Sequence, residues 1–196
     1  MEPLILASAS PRRRELLGRT GIPFEVFAAD VDESISLPAP QAVAELSRRK
    51  AEASRRAHPG RWILAADTLV SVEGKILGKP ADEADARAML RQLSGRTHQV
   101  CTGVTVCSPS GAELTRTDVS SVTFAEVSDL EIARYVSGGE PMDKAGAYAI
   151  QGGAAQWIER MEGSPSGVIG LPLALVRALL REAGYFDAAP PAPEKG

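Results

Sequence analysis

The run Trp62-Ile-Leu-Ala-Ala66 constrains the fold more than any other stretch of this chain. Five apolar residues without alternation predict a strand buried on both faces, and such a strand needs cover on each side of its sheet. Leu4 to Ala7 has the same character. Helical patterns alternate with strands through the first half, and a long hairpin fills the middle. Together these predict an α/β protein built on a mixed sheet.

Helices are predicted from Pro11 to about Thr20, closed by Gly21, and from Pro40 to about Ala57. Further helices run from Asp82 to Leu93, from a Ser128 cap to about Val136, and from Pro172 to Ala183. The second carries an inward stripe at Val43, Leu46, Lys50, Ala53 and Ala57. Strand patterns cover Phe24–Ala28, Lys75–Leu77 after a Glu73-Gly74 turn, Thr97–Cys107, Leu114–Val127 and Gln156–Glu162. Trp62–Ala66 stops at Asp67-Thr68, and Leu69–Val72 continues extended. The segment from Glu140 to Gly153 is irregular, and Gly163-Ser-Pro-Ser-Gly167 is a turn by composition. The expected organisation is one domain over residues 1–186 and a Pro- and Ala-rich disordered tail over 187–196.

A net charge of −3 over 196 residues gives no general attraction to nucleic acid or to an anionic membrane. No run approaches the roughly 18 apolar residues of a membrane span. Charge appears by Arg12, before an h-region of usable length, so the cytoplasm is the expected location. Cys101 and Cys107 share one strand and would lie about 20 Å apart, which makes them buried apolar residues rather than a disulfide. His58 and His98 match no metal or triad spacing.

Chemistry concentrates elsewhere. Ser8, Ser10 and Pro11 read as the start of a helix whose first turn holds Arg12, Arg13 and Arg14. Cations oppose the macrodipole there. Either an anion sits at the helix end, held by N–H groups, hydroxyls and guanidinium forks, or the arginines point into water. Asp67, where the apolar strand stops, and Glu33, in a loop, are a carboxylate pair suited to a divalent cation with phosphates nearby. Asp30 and Asp32 read as a solvated turn. Lys50, a charge on an inward stripe, either snorkels or meets a partner. Lys79 lies on a constrained Gly-Lys-Pro loop, and Asp143-Lys144 lies on another glycine loop. Gln151 carries an amide that donates and accepts at once, as a base edge requires. These residues point to a phosphate-containing ligand and a metal without naming a reaction.

Eight ordered blocks then carry a resemblance: Ala7-Ser-Ala-Ser-Pro-Arg-Arg13, Val31-Asp-Glu33, Ala65-Ala-Asp-Thr68, Leu77-Gly-Lys-Pro80, Leu93-Ser-Gly-Arg-Thr-His98, Asp143-Lys-Ala-Gly-Ala-Tyr148, Ile150-Gln-Gly152 and Val168-Ile-Gly-Leu-Pro172. From Leu4 to Leu180 the chain resembles the Maf family of nucleoside triphosphate pyrophosphatases. The resemblance implies a strongly bent mixed sheet flanked by helices, two lobes and a central cleft, as in inosine-triphosphate pyrophosphatases. It implies hydrolysis of a nucleoside triphosphate to the monophosphate and pyrophosphate with a divalent cation, Mg²⁺ or Mn²⁺. Asp67 matches the proton acceptor, and Glu33 matches a polar residue of the cleft; the metal is expected on Glu33 and Asp67. Arg12, Thr68 and Gln151 match positions of substrate choice, and Ser8, Arg13, Lys50 and Lys79 match polar residues of the cleft and are expected to bind phosphate. The Asp67-Thr68 and Ile150-Gln-Gly152 pairings resemble the branch acting on dTTP and UTP. A homodimer is implied by the family, and a non-catalytic, nucleotide-sensing regulator of cell division is the alternative role.

Overall fold

The computed structural model describes residues 2–28 and 30–187. The expected disordered tail therefore lies outside the described residues, apart from Asp187. Seven strands form one mixed sheet: β1 (Leu4–Ala7), β2 (Phe24–Val26), β3 (Ile63–Val72), β4 (Lys75–Leu77), β5 (Thr97–Cys107), β6 (Glu113–Phe124) and β7 (Ile158–Glu162). Their order is β2-β1-β3-β5-β6-β7, with β4 also paired to β3. β1 pairs parallel with β2 and β3, and the remaining pairings are antiparallel. Six helices pack around it: α1 (Pro11–Gly18), α2 (Ala39–Ala57), α3 (Glu83–Leu93), α4 (Asp129–Ser137), α5 (Pro165–Ile169) and α6 (Leu173–Glu182). None is long and apolar enough to cross a membrane.

β3 organises the whole. Along one edge β5 pairs with it from Ile63 to Ser71. The other edge is shared: β1 pairs with it as far as Ala65, and β4 resumes at Val70. Between them, Ala66 to Leu69 have no neighbouring strand, and there the sheet opens into a cleft.

The two faces of β3 are covered differently. Leu64 and Ala66 join a core with Leu16 and Leu17 of α1 and Val176, Leu179 and Leu180 of α6. Val70 and Val72 join a second core with α3 and α4 through Leu90, Leu93, Ile132 and Val136. Thr68 falls between these two cores. On the opposite face Ile63 and Ala65 pack against Ala51 of α2. That helix lies close to the sheet, for a Cβ on Gly103 of β5 would sit 2.2 Å from the Val43 carbonyl oxygen. Small buried residues, Ala39, Ala42, Ser47, Ala51 and Ser54, permit the approach, and Ser47 Oγ lies 2.8 Å from Thr105 Oγ1 across it.

Several local expectations are corrected. The strand does not stop at Asp67: β3 runs through it to Val72 as one element. The buried face of α2 leaves the predicted stripe after Lys50, turning to Ala51 and Ser54 and leaving Ala57 exposed, because Ala51 is the residue that packs against Ile63 and Ala65 of the sheet. α1 ends at Gly18, where the Thr20 hydroxyl donates to the Leu17 carbonyl at 2.7 Å. β2 ends at Val26. β6 ends at Phe124 because the Ala125 and Val127 amides turn to Trp157 O and Ser94 Oγ. Gln156 and Trp157 belong to a 3₁₀ turn rather than to β7. The predicted turn at 163–167 holds the start of α5, with Ser164 Oγ accepting from Gly167 N and Pro165 in the first turn.

Candidate active site

Ser8, Arg12, Arg13, Glu33, Lys50, Asp67, Thr68, Lys79 and Gln151 all line one cleft of about 520 Å³. That volume is in the range of small-molecule sites, roughly 300–1,000 Å³. The sequence had drawn these residues from six separate segments. The gap along β3 brings them together.

On the α2 face, Asp67 projects toward the helix. Lys50 Nζ lies 2.5 Å from Asp67 Oδ1 and 2.6 Å from Glu33 Oε1. The lysine therefore meets partners instead of snorkelling. Its side chain is 12% exposed and that of Asp67 11%, whereas Glu33 is 60% exposed. The hydrogen bond from Lys50 holds the Glu33 carboxyl below the usual carboxylate range, and Lys79 and Arg13 act in the same direction through space. One oxygen of each carboxylate, Asp67 Oδ2 and Glu33 Oε2, has no hydrogen-bond partner among the described residues.

On the other face the three arginines of α1 part company. Arg13 turns inward: Nε donates to Gly170 O at 2.7 Å, Nη1 to Ser8 Oγ at 3.3 Å and Nη2 to Thr68 Oγ1 at 3.0 Å. Burial lowers its pKa, and the nearby Asp67 carboxylate opposes that shift. Arg12 reaches across the cleft to Asp143 Oδ2 at 3.1 Å. Arg14 is exposed and outside the cleft. Of the two readings of this cluster, inward and solvated, each describes part of it.

Thr68 is further constrained from below. Its Oγ1 lies 3.0 Å from Thr102 Oγ1, and Thr102 donates to Gly167 O at 2.9 Å. A hydroxyl has one proton. Thr102 uses its own on Gly167, so the Thr68 proton points at Thr102. Thr68 thus accepts from Arg13 and shows the cleft a lone pair rather than a donor.

The far wall is the irregular segment. Asp143 Oδ1 accepts from Lys144 Nζ at 2.6 Å, and the two contacts to Lys144 and Arg12 hold the Asp143 carboxyl below its usual range. Lys79 and Gln151 are exposed, and neither side chain has a hydrogen-bond partner among the described residues. Tyr148 lines the wall, its hydroxyl 2.8 Å from His98 Nε2. Burial pushes His98 down to about 4, consistent with a structural role. Cys101 and Cys107 are buried free thiols, both pushed up to about 11 chiefly by burial.

Sequence reasoning missed Thr102, the Gly170 carbonyl and Tyr148, and it noticed Asp143 without placing it. Thr102 lies opposite Thr68 in the β3–β5 register, a pairing that no local pattern announces. No group of three or more His, Cys, Asp or Glu residues that could hold a metal by itself occurs among the described residues.

The family model for Maf-like proteins matches residues 3–183. A relative from Anaeromyxobacter dehalogenans strain 2CP-C, named dTTP/UTP pyrophosphatase, is 51% identical over 187 residues, covering 93% of this chain and 94% of its own. One of the same name from Deinococcus radiodurans is 50% identical over 184 residues, covering 92% and 93%. The solved structure of the Staphylococcus aureus Ham1 protein matches with a TM-score of 0.56 over 92% of this chain and 99% of that one, at 16% identity. That last likeness concerns the fold alone. A family match over nearly the whole length, on the same residues that line the cleft, means that this chain belongs to the Maf-like protein family.

Proposed function

We propose that the chain hydrolyses dTTP and UTP to the monophosphate and pyrophosphate. The observation that carries the proposal is the convergence of a carboxylate pair, a set of cations and an uncharged amide on one cleft. Relatives at about half identity named dTTP/UTP pyrophosphatase support the choice of substrates.

Asp67 is the general base. Lys50 fixes its Oδ1 at 2.5 Å, and its other oxygen takes the proton of a water that attacks the α-phosphorus. The bond from that phosphorus to the bridging oxygen breaks, and pyrophosphate leaves. Arg13, Lys50 and Lys79 stabilise the charge that develops on the leaving group, and Ser8 helps hold Arg13. Arg12, Thr68 and Gln151 choose the base, Thr68 as an acceptor and Gln151 as donor and acceptor together.

The free oxygens of Asp67 and Glu33 are hard donors, and two carboxylates completed by substrate oxygens suit Mg²⁺ or Mn²⁺. When bound, such an ion supplies Lewis acidity toward the phosphates and toward the attacking water. The proposal includes the cytoplasmic location expected from the sequence and a homodimer, which rests on the family resemblance.

The test is a panel of nucleoside triphosphates with Mg²⁺, with Mn²⁺ and with EDTA, resolving pyrophosphate from orthophosphate. Metal-dependent pyrophosphate release from dTTP and UTP is expected, and Asp67→Asn should lose about 10²-fold or more in kcat. Binding without hydrolysis would favour the regulatory role, and orthophosphate as the product would favour a phosphatase.

A further inference from the structure

The segment from Ala149 to Gly153 carries Gln151, and the same two side chains grip both of its ends. Tyr135 of α4 accepts from the Ala149 amide at 3.2 Å and donates its hydroxyl proton to Glu140 Oε1 at 2.7 Å. Glu140 in turn accepts from the Gly153 amide, with each carboxylate oxygen at 3.2 Å. The directions are consistent. The phenol has one proton and gives it to the carboxylate, which leaves its oxygen free to receive Ala149. The Tyr135 ring is fixed edge-on to Trp157, with centroids 5.0 Å apart.

Gly152 fits the same picture. Its φ of −109° and ψ of −154° suit any residue, so backbone strain does not require glycine there. A Cβ, however, would fall 1.9 Å from Glu140 Oε1. The carboxylate occupies the space a side chain would need. Glu140 is also tied back toward the phosphate side of the cleft. Lys144 Nζ donates to the Glu140 carbonyl at 2.6 Å and to Asp143, which holds Arg12.

Neither Tyr135 nor Glu140 lines the cleft, and their hydrogen bonds go to the turn that carries Gln151. We infer that Tyr135 and Glu140 form a clasp that fixes the 149–153 turn and so sets Gln151 against the nucleobase, making them positioning residues for base selection. This rests on the nucleotide-hydrolysing role proposed above. A residue that only orients a base contact changes ground-state and transition-state binding alike, so KM should move while kcat does not.

The experiment compares Tyr135→Phe, Glu140→Ala and Glu140→Gln with the unaltered chain, using dTTP and UTP as substrates and inorganic tripolyphosphate as a base-free competitive inhibitor. KM for both nucleotides should rise about tenfold in Tyr135→Phe and further in Glu140→Ala, with kcat within about twofold. Glu140→Gln should fall between the unaltered chain and Glu140→Ala, since its amide oxygen still accepts from Tyr135 and Gly153 while its NH2 group faces the Gly153 N–H. Inhibition by tripolyphosphate should be the same throughout, because it meets only the phosphate residues. Unchanged nucleotide KM in both Tyr135→Phe and Glu140→Ala overturns the clasp. So does a parallel loss of tripolyphosphate inhibition, which would mean that the whole cleft had loosened. If the unaltered chain hydrolyses neither nucleotide while still binding tripolyphosphate, the functional reading falls first and the clasp's role falls with it.

Discussion

Replacing Lys50 with methionine keeps the aliphatic stem and removes the charge that joins Asp67 to Glu33. The two contacts are nearly equal in length, 2.5 and 2.6 Å, yet their surroundings differ. Asp67 is 11% exposed, so losing its partner strands a buried carboxylate. Breaking such a pair costs about 3–5 kcal/mol, because the carboxylate left behind is buried without a compensating charge. Glu33 is 60% exposed and water takes over for the lysine, so that contact is worth roughly 0–1 kcal/mol. Two double-mutant cycles separate the contributions: Lys50→Met with Asp67→Asn, and Lys50→Met with Glu33→Gln. Urea unfolding at pH 7.5 in EDTA should give a Lys50–Asp67 coupling of about 2–3 kcal/mol and a Lys50–Glu33 coupling below about 1. Equal couplings, or a Lys50–Asp67 value under about 1 kcal/mol, would refute the argument that burial rather than distance sets the strength of this pair.

Thr102→Val removes the acceptor that holds the Thr68 proton and leaves the Gly167 carbonyl unpaired; it should destabilise the fold by about 1–3 kcal/mol and alter the preference for dTTP over other nucleotides, while Thr102→Ser restores both, as checked by unfolding and by kcat/KM ratios. His98 is held neutral by burial, with its pKa lowered from 6.5 to about 4. Between those values the unfolded chain binds the proton and the folded chain does not, so stability should fall as pH drops from 6.5 and level off near 4, by about 3 kcal/mol from this group. Unfolding midpoints at pH 7.5 and 5 should differ less in His98→Gln than in the unaltered chain; an equal difference would show that other groups carry the acid sensitivity.

The parts of the fold that could be read from the sequence are those where one residue's environment repeats at a fixed spacing. The run at Trp62–Ala66 required cover on both faces, and α2, α1 and α6 supply it. The capping signals at Ser10 and Ser128 each mark a helix start in the structure. Composition misled where a long-range contact overrides it. Asp67 looked like the end of a strand because a carboxylate rarely sits inside an apolar one, but Lys50 compensates its charge from another element. Ala53 and Ala57 looked inward because they are apolar. Ala51 packs against Ile63 and Ala65 of the sheet instead.

The site shows the same division in a sharper form. The arginines of α1, Asp67 and Lys50 stood out because a cation at a helix start, or a charge in an apolar strand or on an inward stripe, is costly unless partnered, whereas Lys79 and Gln151, both exposed, took their place from the family resemblance. What arranges them was not visible, because much of it is backbone. Arg13 is aimed by the Gly170 carbonyl, Thr68 is turned by a chain ending on the Gly167 carbonyl, and Gln151 is set through the Ala149 and Gly153 amides. Every residue has such groups, so sequence gives no hint which of them a side chain will use. The edge of β3 decides it. Because the pairing of β1 with β3 ends at Ala65 and that of β4 begins at Val70, Ala66 to Leu69 lack a neighbour along that edge, and the turns around the gap use their own carbonyls and amides to hold side chains of the site. Lengthening β1 or β4 to close the gap would complete the sheet and remove the cleft, so the most consequential feature of this fold is an interruption in its hydrogen bonding.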